Sequence, residues 1–333
     1  MSGSLVISLD MELYWGLMDK KPPPSYMSSI EGVRLAVPKI LDIFKSYNIS
    51  ATWACVGMTL EKEAADILST PVSERPHYLQ QNYSNYVLCD KFASYIDCNK
   101  NLFFASDLIR LIAQTPGQEI GSHSYSHLYF LEEGLTLDDM RSDFLRMEAI
   151  CQQNNIAKLK SFVFPRNQFS SKALRFLKEF EFKTYRGNQH GKIYYPTEDK
   201  ISIQGYVIKA LRILNEYINI SGDDLTDPND LIISLYYDGV CNIPASRFLR
   251  PYSEKLKSIE ELRFLRIANS LRKAAINNKI YHLWWHPHNF GTNIGENIIF
   301  LERILMQFKD LNISYGMKSY NMQTLVDEYI KHV

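Results

Sequence analysis

The sequence lacks the features that mark nucleic-acid-binding and membrane-spanning proteins. Lys and Arg together number 37, as do Asp and Glu, and no basic run interrupts this balance. Because nucleic-acid binding depends on neutralising phosphates, we expect no nucleic-acid partner. No apolar segment approaches the roughly 18 residues of a transmembrane helix, so we expect no membrane span.

Cysteine is also scarce and poorly arranged for pairing. The five Cys residues are widely spaced and form no C-x-x-C pair, which argues against a disulfide framework. The N-terminal residues lead directly into an apolar strand-like segment, without the pattern of a signal peptide. Together these features predict a cytoplasmic protein with reduced thiols.

What the sequence does contain is an alternation of short apolar segments and amphipathic ones, as in an α/β protein. Eight segments predict strands: Leu5–Leu9, Ala51–Val56, Glu119–Ser122, Ser161–Phe164, Phe182–Tyr185, Leu231–Leu235, Ile280–Trp285 and Ile313–Gly316. The predicted helices are Ile30–Tyr47, Thr136–Asn154, Ser171–Phe180, Ile201–Tyr217, Glu254–Asn278, Ile294–Lys309 and Met322–His332. This order predicts a (β/α) barrel, with an open doubly wound sheet as the alternative.

The domain organisation follows from the absence of any clear linker, repeat or low-complexity tract. We predict a single catalytic domain over residues 1–333. The polar, Tyr-rich stretch at about 70–104 interrupts the alternation. Because long irregular segments in compact domains are often functional, we expect this stretch to be an insertion above the barrel that contributes to substrate binding.

Two pairs of residues with metal-binding potential follow predicted strands. Asp10 and Glu12 come after the first strand, and His123 and His127 come after the third. Active sites of parallel barrels lie at the C-terminal ends of the strands, so we expect these side chains to converge. Two His and one carboxylate leave an open position for water on a catalytic zinc ion. The sequence therefore predicts a metal-activated hydrolytic site.

Other polar residues also follow predicted strands. They are Arg166 and Asn167 after the fourth strand, Arg186 after the fifth, Tyr237 and Asp238 after the sixth, and His286 and His288 after the seventh. Four of the eight His residues are thus expected near one end of the barrel.

These motifs resemble those of the NodB-homology polysaccharide deacetylases, carbohydrate esterase family 4. Ser8–Glu12 stands in place of the first family motif, Thr-Phe-Asp-Asp, and His123–His127 closely matches the second. Phe164–Asn167 matches the third motif, Arg-x-Pro-x-Gly, only loosely, and Tyr185–Asn188 stands where the family has Asp-Trp. Trp285–Pro287 corresponds to the fifth motif, Leu-x-His. The resemblance implies a distorted (β/α)7–8 barrel, in the branch associated with O-antigen and surface-polysaccharide biosynthesis.

The resemblance also implies roles for the catalytic residues. Glu12, His123 and His127 would hold a divalent metal, with zinc expected and nickel, cobalt or iron also compatible with these ligands. Asp10 would be the general base, although spacing alone leaves open an exchange of roles between Asp10 and Glu12. His286 would protonate the leaving amine, with His288 as the alternative.

The remaining roles concern the substrate. Arg166 and Arg186 would orient the base or bind an anionic group, because a guanidinium pairs with two oxygens at once. Asn167 lies where a backbone N–H would stabilise the oxyanion. Trp285 is expected to contact the substrate, and Arg250 to contact a phosphate if the substrate carries one.

The function implied is hydrolysis of an N-acyl group from an amino sugar, which is free, nucleotide-linked, lipid-linked or polymeric. Two alternatives stay open: a hydrolase of the same fold that opens a cyclic amide or imide, and a catalytically inactive glycan-binding protein. The oligomeric state is not predicted.

Overall fold

Nine parallel strands form one curled sheet in the computed structural model, which describes residues 2–21, 23–189 and 210–331. The strands are β1 (Ser4–Met11), β2 (Ala51–Cys55), β3 (Gln118–Ser122), β4 (Ser161–Val163), β5 (Thr184–Arg186), β6 (Cys241–Asn242), β7 (Arg247–Phe248), β8 (Ile280–Trp285) and β9 (Lys318–Tyr320). Their order is β6-β5-β4-β3-β2-β1-β8-β7, with β9 also paired to β1.

The two edges of this sheet are joined by residues 243–246, between β6 and β7. The backbone N–H of Ala245 donates to the carbonyl of Gly187, just beyond β5. The N–H of the next residue, Ser246, donates to the carbonyl of His282 in β8. One extended segment therefore passes from one edge of the sheet to the other and closes the distorted (β/α) barrel that the sequence predicts.

Eleven helices with defined bounds accompany these strands in the described part of the chain. They are α1 (Met27–Glu31), α2 (Val33–Ser46), α3 (Ala64–Leu68), α4 (Asn85–Cys98), α5 (Ser106–Gln114), α6 (Leu137–Gln153), α7 (Ser171–Glu179), α8 (Pro228–Asp238), α9 (Glu260–Ile276), α10 (Ile294–Tyr315) and α11 (Met322–Ile330). Among the described residues, no helix is both long and apolar enough to cross a bilayer. Of the predicted helix Ile201–Tyr217, residues 201–209 lie outside the described residues, and residues 210–215 are helical.

The central strand β1 divides its side chains between two environments. Leu5, Ile7 and Leu9 belong to the large apolar core shared with the helices, whereas Val6 belongs to a separate apolar cluster with residues of β4 and β8. Because successive side chains of a strand point to opposite faces, Ser8 and Asp10 share the face of Val6. The barrel interior is therefore apolar at the start of β1 and polar at its end.

Two predicted strands are helical in the structure. Leu231–Leu235 lies inside α8, and Ile313–Gly316 overlaps the end of α10. A short apolar run does not distinguish a strand from a buried helix by periodicity alone. The sequence around α8 in fact carries helix signals, with Asp227 as N-cap and Gly239 in the left-handed conformation after the last turn.

Tyr237 and Asp238 therefore end a helix rather than a strand, and the sixth and eighth predicted strands are replaced by shorter ones. The short strands β6 and β7 follow α8, the helix that replaces the sixth predicted strand. Strand β9 follows α10, whose end replaces the eighth predicted strand. Residues 70–104 contain α4 and three short 3-10 turns, Val72–Glu74, Gln81–Tyr83 and Lys100–Leu102. Their description as an insertion within a single domain stays a prediction.

The start of α6 allows a direct test of local helix stability. Thr136 accepts a hydrogen bond from the N–H of Asp139, and the Asp139 carboxylate accepts one from the N–H of Thr136. We expect Thr136→Ala to lower the free energy of unfolding by about 1 kcal/mol, because the cap is lost. Thr136→Ser, which keeps the hydroxyl, is the control. Urea unfolding measures both, and equal losses in the two variants would contradict the capping role.

Candidate active site

Three side chains that are far apart in sequence meet at the C-terminal ends of β1 and β3. The Oε2 atom of Glu12 lies 3.2 Å from Nε2 of His127 and 3.5 Å from Nε2 of His123. All three side chains are at most 5% exposed. They form the one group of potential metal ligands found among the described residues, and they are the three residues that the sequence predicts for this purpose.

The protonation of these groups supports a cation between them. Nδ1 of His123 lies 2.7 Å from the carbonyl oxygen of Val163, so Nδ1 carries the hydrogen and Nε2 is left with a lone pair facing Glu12. Burial alone would raise the pKa of Glu12, but His286, His123 and His127 together hold it well below its ordinary value. An ionised carboxylate and two imidazole nitrogens directed at one point are donors of the kind that a divalent metal binds, so this set fits such an ion.

The loop that carries both His residues is held by a buried carboxylate. Ser124 and His127 adopt left-handed backbone conformations, with φ of 58° and 57°. The carboxylate of Asp143 in α6 accepts hydrogen bonds from the N–H groups of Tyr125 and Ser126, at 2.8 and 2.9 Å. Tertiary hydrogen bonds therefore stabilise a tight turn that presents His123 and His127 on the same side.

Glu12 is positioned by a close approach of Gly16. Glu12 precedes the 3-10 turn Leu13–Gly16, which folds the chain back over its carboxylate. A Cβ atom at position 16 would overlap the carboxyl group of Glu12. The turn therefore requires glycine for the Glu12 side chain to lie where it meets the two His residues.

Asp10 lies beside these three residues and forms an ion pair with Arg186. Nη1 and Nη2 of Arg186 lie 2.6 and 2.7 Å from its two oxygens, and the Arg186 side chain is only 1% exposed. Burial raises the pKa of Asp10, but Arg186, together with His123 and His286, lowers this pKa below its ordinary value. Arg186 therefore orients Asp10, the first of its two predicted roles, and its burial argues against the predicted substrate contact.

The two His residues after β8 differ in their surroundings. Nε2 of His286 lies 3.6 Å from Oε1 of Glu12 and 3.8 Å from Oδ2 of Asp10, and its side chain is 22% exposed. His288 stacks on His286 with ring centroids 4.8 Å apart, and it is buried. Burial, followed by the nearby His286, lowers the pKa of His288 to about 3. His286 is thus the one of the two that faces both the carboxylates and the solvent.

Arg166 and Asn167 form the turn after β4, in consecutive left-handed conformations with φ of 54° and 55°. Arg166 pairs with Asp19, and its guanidinium lies 4.0 Å from the centre of the Tyr129 ring. The N–H of Asn167 donates to the carbonyl of Phe164. This bond argues against the prediction that the N–H stabilises an oxyanion. The Asn167 side chain instead accepts a hydrogen bond from Arg186 at 3.3 Å.

The predicted substrate contact of Trp285 does not fit its position. Trp285 is completely buried and stacks on Phe290. Its neighbour Trp284, which points to the opposite face of β8, is partly exposed, and its ring centre lies 4.9 Å from that of Phe248 and 5.6 Å from that of His286. Two adjacent Trp residues look alike in sequence, and only the register of the strand decides which one borders the site.

Arg250 lies two residues beyond β7, and its carbonyl oxygen accepts a hydrogen bond from Arg263 in α9. Its contact with a phosphate stays a prediction.

A comparison with protein families finds a match over the part of the chain that carries the two His residues. Residues 31–185 match the family model of polysaccharide deacetylase. The match contains His123 and His127, but it covers slightly less than half of the 333 residues and excludes Asp10, Glu12 and His286. It therefore shows that this segment is similar to polysaccharide deacetylases, and the assignment of the whole site depends on the geometry described above.

Solved structures extend the likeness to the whole fold. A protein from Mycobacterium smegmatis described as a polysaccharide deacetylase is 12% identical, with a TM-score of 0.61 over 99% of this chain and 91% of that one. A GH57-type branching enzyme from Pyrococcus horikoshii is 11% identical, with a TM-score of 0.53 over 99% of this chain and 71% of that one. Identities this low show the shared fold alone. No curated protein matched the chain significantly.

Several residues of the site are not evident from the sequence. Asp143 lies within a helix, and Asp19 lies beyond the first motif, so no spacing marks either of them. Ser8 precedes Asp10 by two residues, and strand alternation alone predicts that both face the barrel interior. His282 shares that interior face with Trp284 and His286, and the alternation of β8 also marks its place.

The close approach of Gly16 to Glu12 predicts an effect on metal affinity. We expect Gly16→Ala to weaken zinc binding roughly 10- to 100-fold, because the new methyl group displaces a ligand, as with other changes that disturb ligand orientation. The control is Gly295→Ala in α10, where a Cβ atom would meet nothing within 4 Å. Competition titration against a chromogenic chelator measures both affinities. Equal affinities in the two variants would contradict the position assigned to Glu12.

Proposed function

We propose that the protein is a metal-dependent hydrolase that removes an N-acyl group from an amino sugar. The observation that carries this proposal is the convergence of Glu12, His123 and His127 beside an ionised Asp10 and a partly exposed His286. This set would supply a metal site, a base and an acid side by side, which is what amide hydrolysis requires. The match of residues 31–185 to the polysaccharide deacetylase model supports the same reaction.

Glu12, His123 and His127 would hold the metal. A divalent ion bound there polarises an acyl carbonyl and lowers the pKa of a water molecule towards about 7. Asp10 accepts the proton of the attacking water, since a carboxylate bonded to Arg186 through both oxygens still has lone pairs to offer. The bidentate pair fixes the direction of those lone pairs.

His286 would deliver a proton to the leaving amine. Its Nδ1 lies 3.2 Å from the amide oxygen of Asn289, so this nitrogen is the donor and the ring orientation is fixed. Nε2 faces Asp10 and Glu12 on the open side of the site. In the charged ring both nitrogens carry a hydrogen, so Nε2 gives its proton to the amine while Nδ1 keeps its bond to Asn289. His288 is less suited to the role, because it is buried behind His286 and burial strongly favours its neutral form.

A sugar is favoured as substrate by the aromatic surface next to His286. Trp284 and Phe248 are both partly exposed there, with ring centres 4.9 Å apart. An aromatic face packs against the apolar face of a pyranose ring. We therefore assign Trp284, instead of Trp285, to substrate binding.

The finer parts of the proposal rest on the family resemblance of the sequence motifs. They are zinc as the native metal, a role in O-antigen or other surface-polysaccharide biosynthesis, an N-acetyl group, and a cytoplasmic site of action. A nucleotide- or lipid-linked substrate would give Arg250 a phosphate to contact.

Hydrolysis of N-acetylated amino sugars, with their nucleotide conjugates and oligomers, tests the proposal directly. Release of acetate that depends on added zinc is the expected result. Turnover of cyclic imides without release of acetate would favour the alternative hydrolase. Saturable glycan binding with no turnover of either class, by a protein loaded with metal, would favour the glycan-binding protein.

Substitution of the two carboxylates separates their roles. We expect Asp10→Asn to keep its zinc and to lose at least about 100-fold in kcat, because a general base is removed. We expect Glu12→Gln to lose the metal itself. Metal analysis of the purified variants and steady-state kinetics give the two results. Because Asp10→Asn leaves Arg186 buried without its counter-ion, thermal unfolding must first show that the variant is folded. Loss of zinc from Asp10→Asn to the same degree as from Glu12→Gln would make Asp10 a ligand.

The aromatic surface predicts an effect on substrate binding. We expect Trp284→Ala to raise KM about tenfold with unchanged zinc content, because the sugar loses a packing surface. Trp284→Phe keeps an aromatic ring and is expected to lie close to the wild type. A fall in kcat with constant KM would contradict a binding role and would indicate that Trp284 acts through Arg186, which packs on its ring.

A further inference from the structure

A buried polar layer lies beneath the candidate metal site. Ser8 of β1, Arg186 of β5 and His282 of β8 are each at most 1% exposed, and they meet inside the barrel. Such interior positions are normally filled by branched apolar residues. Polar groups buried there are costly unless each forms its hydrogen bonds, so the connections among these three residues indicate what they do.

The hydrogen of His282 can be placed from its partners. Nδ1 lies 3.1 Å from the carbonyl oxygen of Ile243, which can only accept, so Nδ1 is the donor. Burial and the charge of Arg186 lower the pKa of His282 to about 3, so its ring is neutral and Nε2 is an acceptor. Nε2 lies 2.9 Å from Oγ of Ser8. The Ser8 hydroxyl therefore donates its single proton to His282.

This donation determines what Ser8 presents to Arg186. With its proton directed at His282, Oγ turns its lone pairs to Nη1 of Arg186, 3.0 Å away. If the hydroxyl rotated, its proton would point at the positively charged guanidinium of Arg186, which is unfavourable. Arg186 then donates from Nη1 and Nη2 to the two oxygens of Asp10. Every hydrogen bond in the series Ile243, His282, Ser8, Arg186 and Asp10 therefore has one defined direction of donation.

We propose that His282 is a positioning residue of the hydrolase, which acts through Ser8 and Arg186 to hold the Asp10 carboxylate in place. Among the described residues, no hydrogen bond joins His282 to Asp10 or to the metal ligands. His282 lies four residues before His286, on the same face of β8. We call the series of hydrogen bonds from Ile243 to Asp10 the relay. It exists whatever the reaction is, but its effect on turnover rests on the proposed function.

Ser8 offers a matched pair of substitutions with which to test the relay. Thr and Val have nearly the same shape, and both suit a strand, but only Thr keeps the hydroxyl. We expect Ser8→Val to lower kcat about tenfold with KM within about twofold and zinc content unchanged, as for the loss of one hydrogen bond to a charged group. Ser8→Thr should remain close to the wild type. Equal losses of kcat in Val and Thr variants would overturn the proposal and indicate that only packing matters at this position.

A double-mutant cycle tests whether His282 and Ser8 act as one unit. We expect His282→Leu to reproduce the loss of kcat in Ser8→Val, and the double variant to lose no more than either single one, because both break the same relay. Multiplied losses in the double variant would contradict a shared role. Thermal unfolding confirms that the variants are folded, and Ser8→Ala replaces Ser8→Val if the larger side chain is not accommodated.

A measurement on the unmodified protein tests the relay without any substrate. Nitrogen-15 NMR of the His rings, with the His282 signals assigned by their loss in His282→Leu, should show Nδ1 protonated and Nε2 unprotonated from pH 5 to 8. A proton on Nε2 would reverse the bond to Ser8 and overturn the proposal. If the relay is observed but no N-acylated sugar is hydrolysed by the wild type, the proposed function fails and the assigned effect on turnover fails with it. If N-acylated sugars are hydrolysed but Nε2 of His282 carries a proton, the proposed function stands and only the role of His282 is removed.

Discussion

The site depends on three electron-pair donors held against one another in a buried space: one carboxylate oxygen of Glu12 and one ring nitrogen each of His123 and His127. Such an arrangement costs free energy unless a cation neutralises it. Much of the surrounding structure maintains it: the Val163 carbonyl orients one ring, Asp143 holds the loop between the two rings, and Gly16 leaves room for the carboxylate. Strain in the His-bearing loop is thus compensated by bonds from α6.

The parallel barrel explains why residues from β1, β3, β5 and β8 can cooperate. All of these strands end at the same rim, so their last inward side chains meet there. Below the rim, the Asp10–Arg186 ion pair separates the metal ligands from the apolar interior. A buried ion pair of this kind is weak evidence for stability, but it fixes the direction of the carboxylate that we propose as the general base. Function, more than stability, accounts for charge at this depth.

The sequence predicts the early strands and the grouping of Glu12, His123 and His127 well because each depends on short-range signals. The strand Leu5–Leu9 is an apolar run interrupted only by Ser8, and the His123–His127 spacing is compact. The strand predicted at Leu231–Leu235 is wrong because tertiary packing and helix caps, not periodicity, decide short apolar runs. The choice between Trp284 and Trp285, and the partner of Asp10, depend on strand register and on contacts across the barrel. Neither is encoded in local spacing. The sequence therefore leaves two roles open for Arg186, orienting the base or binding the substrate, and only the structure shows its pairing with Asp10.

The central claim is that Glu12, His123 and His127 bind one divalent metal ion. Anomalous X-ray diffraction at the zinc absorption edge, from crystals grown with zinc, tests it most directly. We expect one strong peak within about 2.3 Å of Nε2 of both His residues and of a Glu12 oxygen. A zinc-replete crystal with no peak between these three residues, or with the ion bound elsewhere, would contradict it.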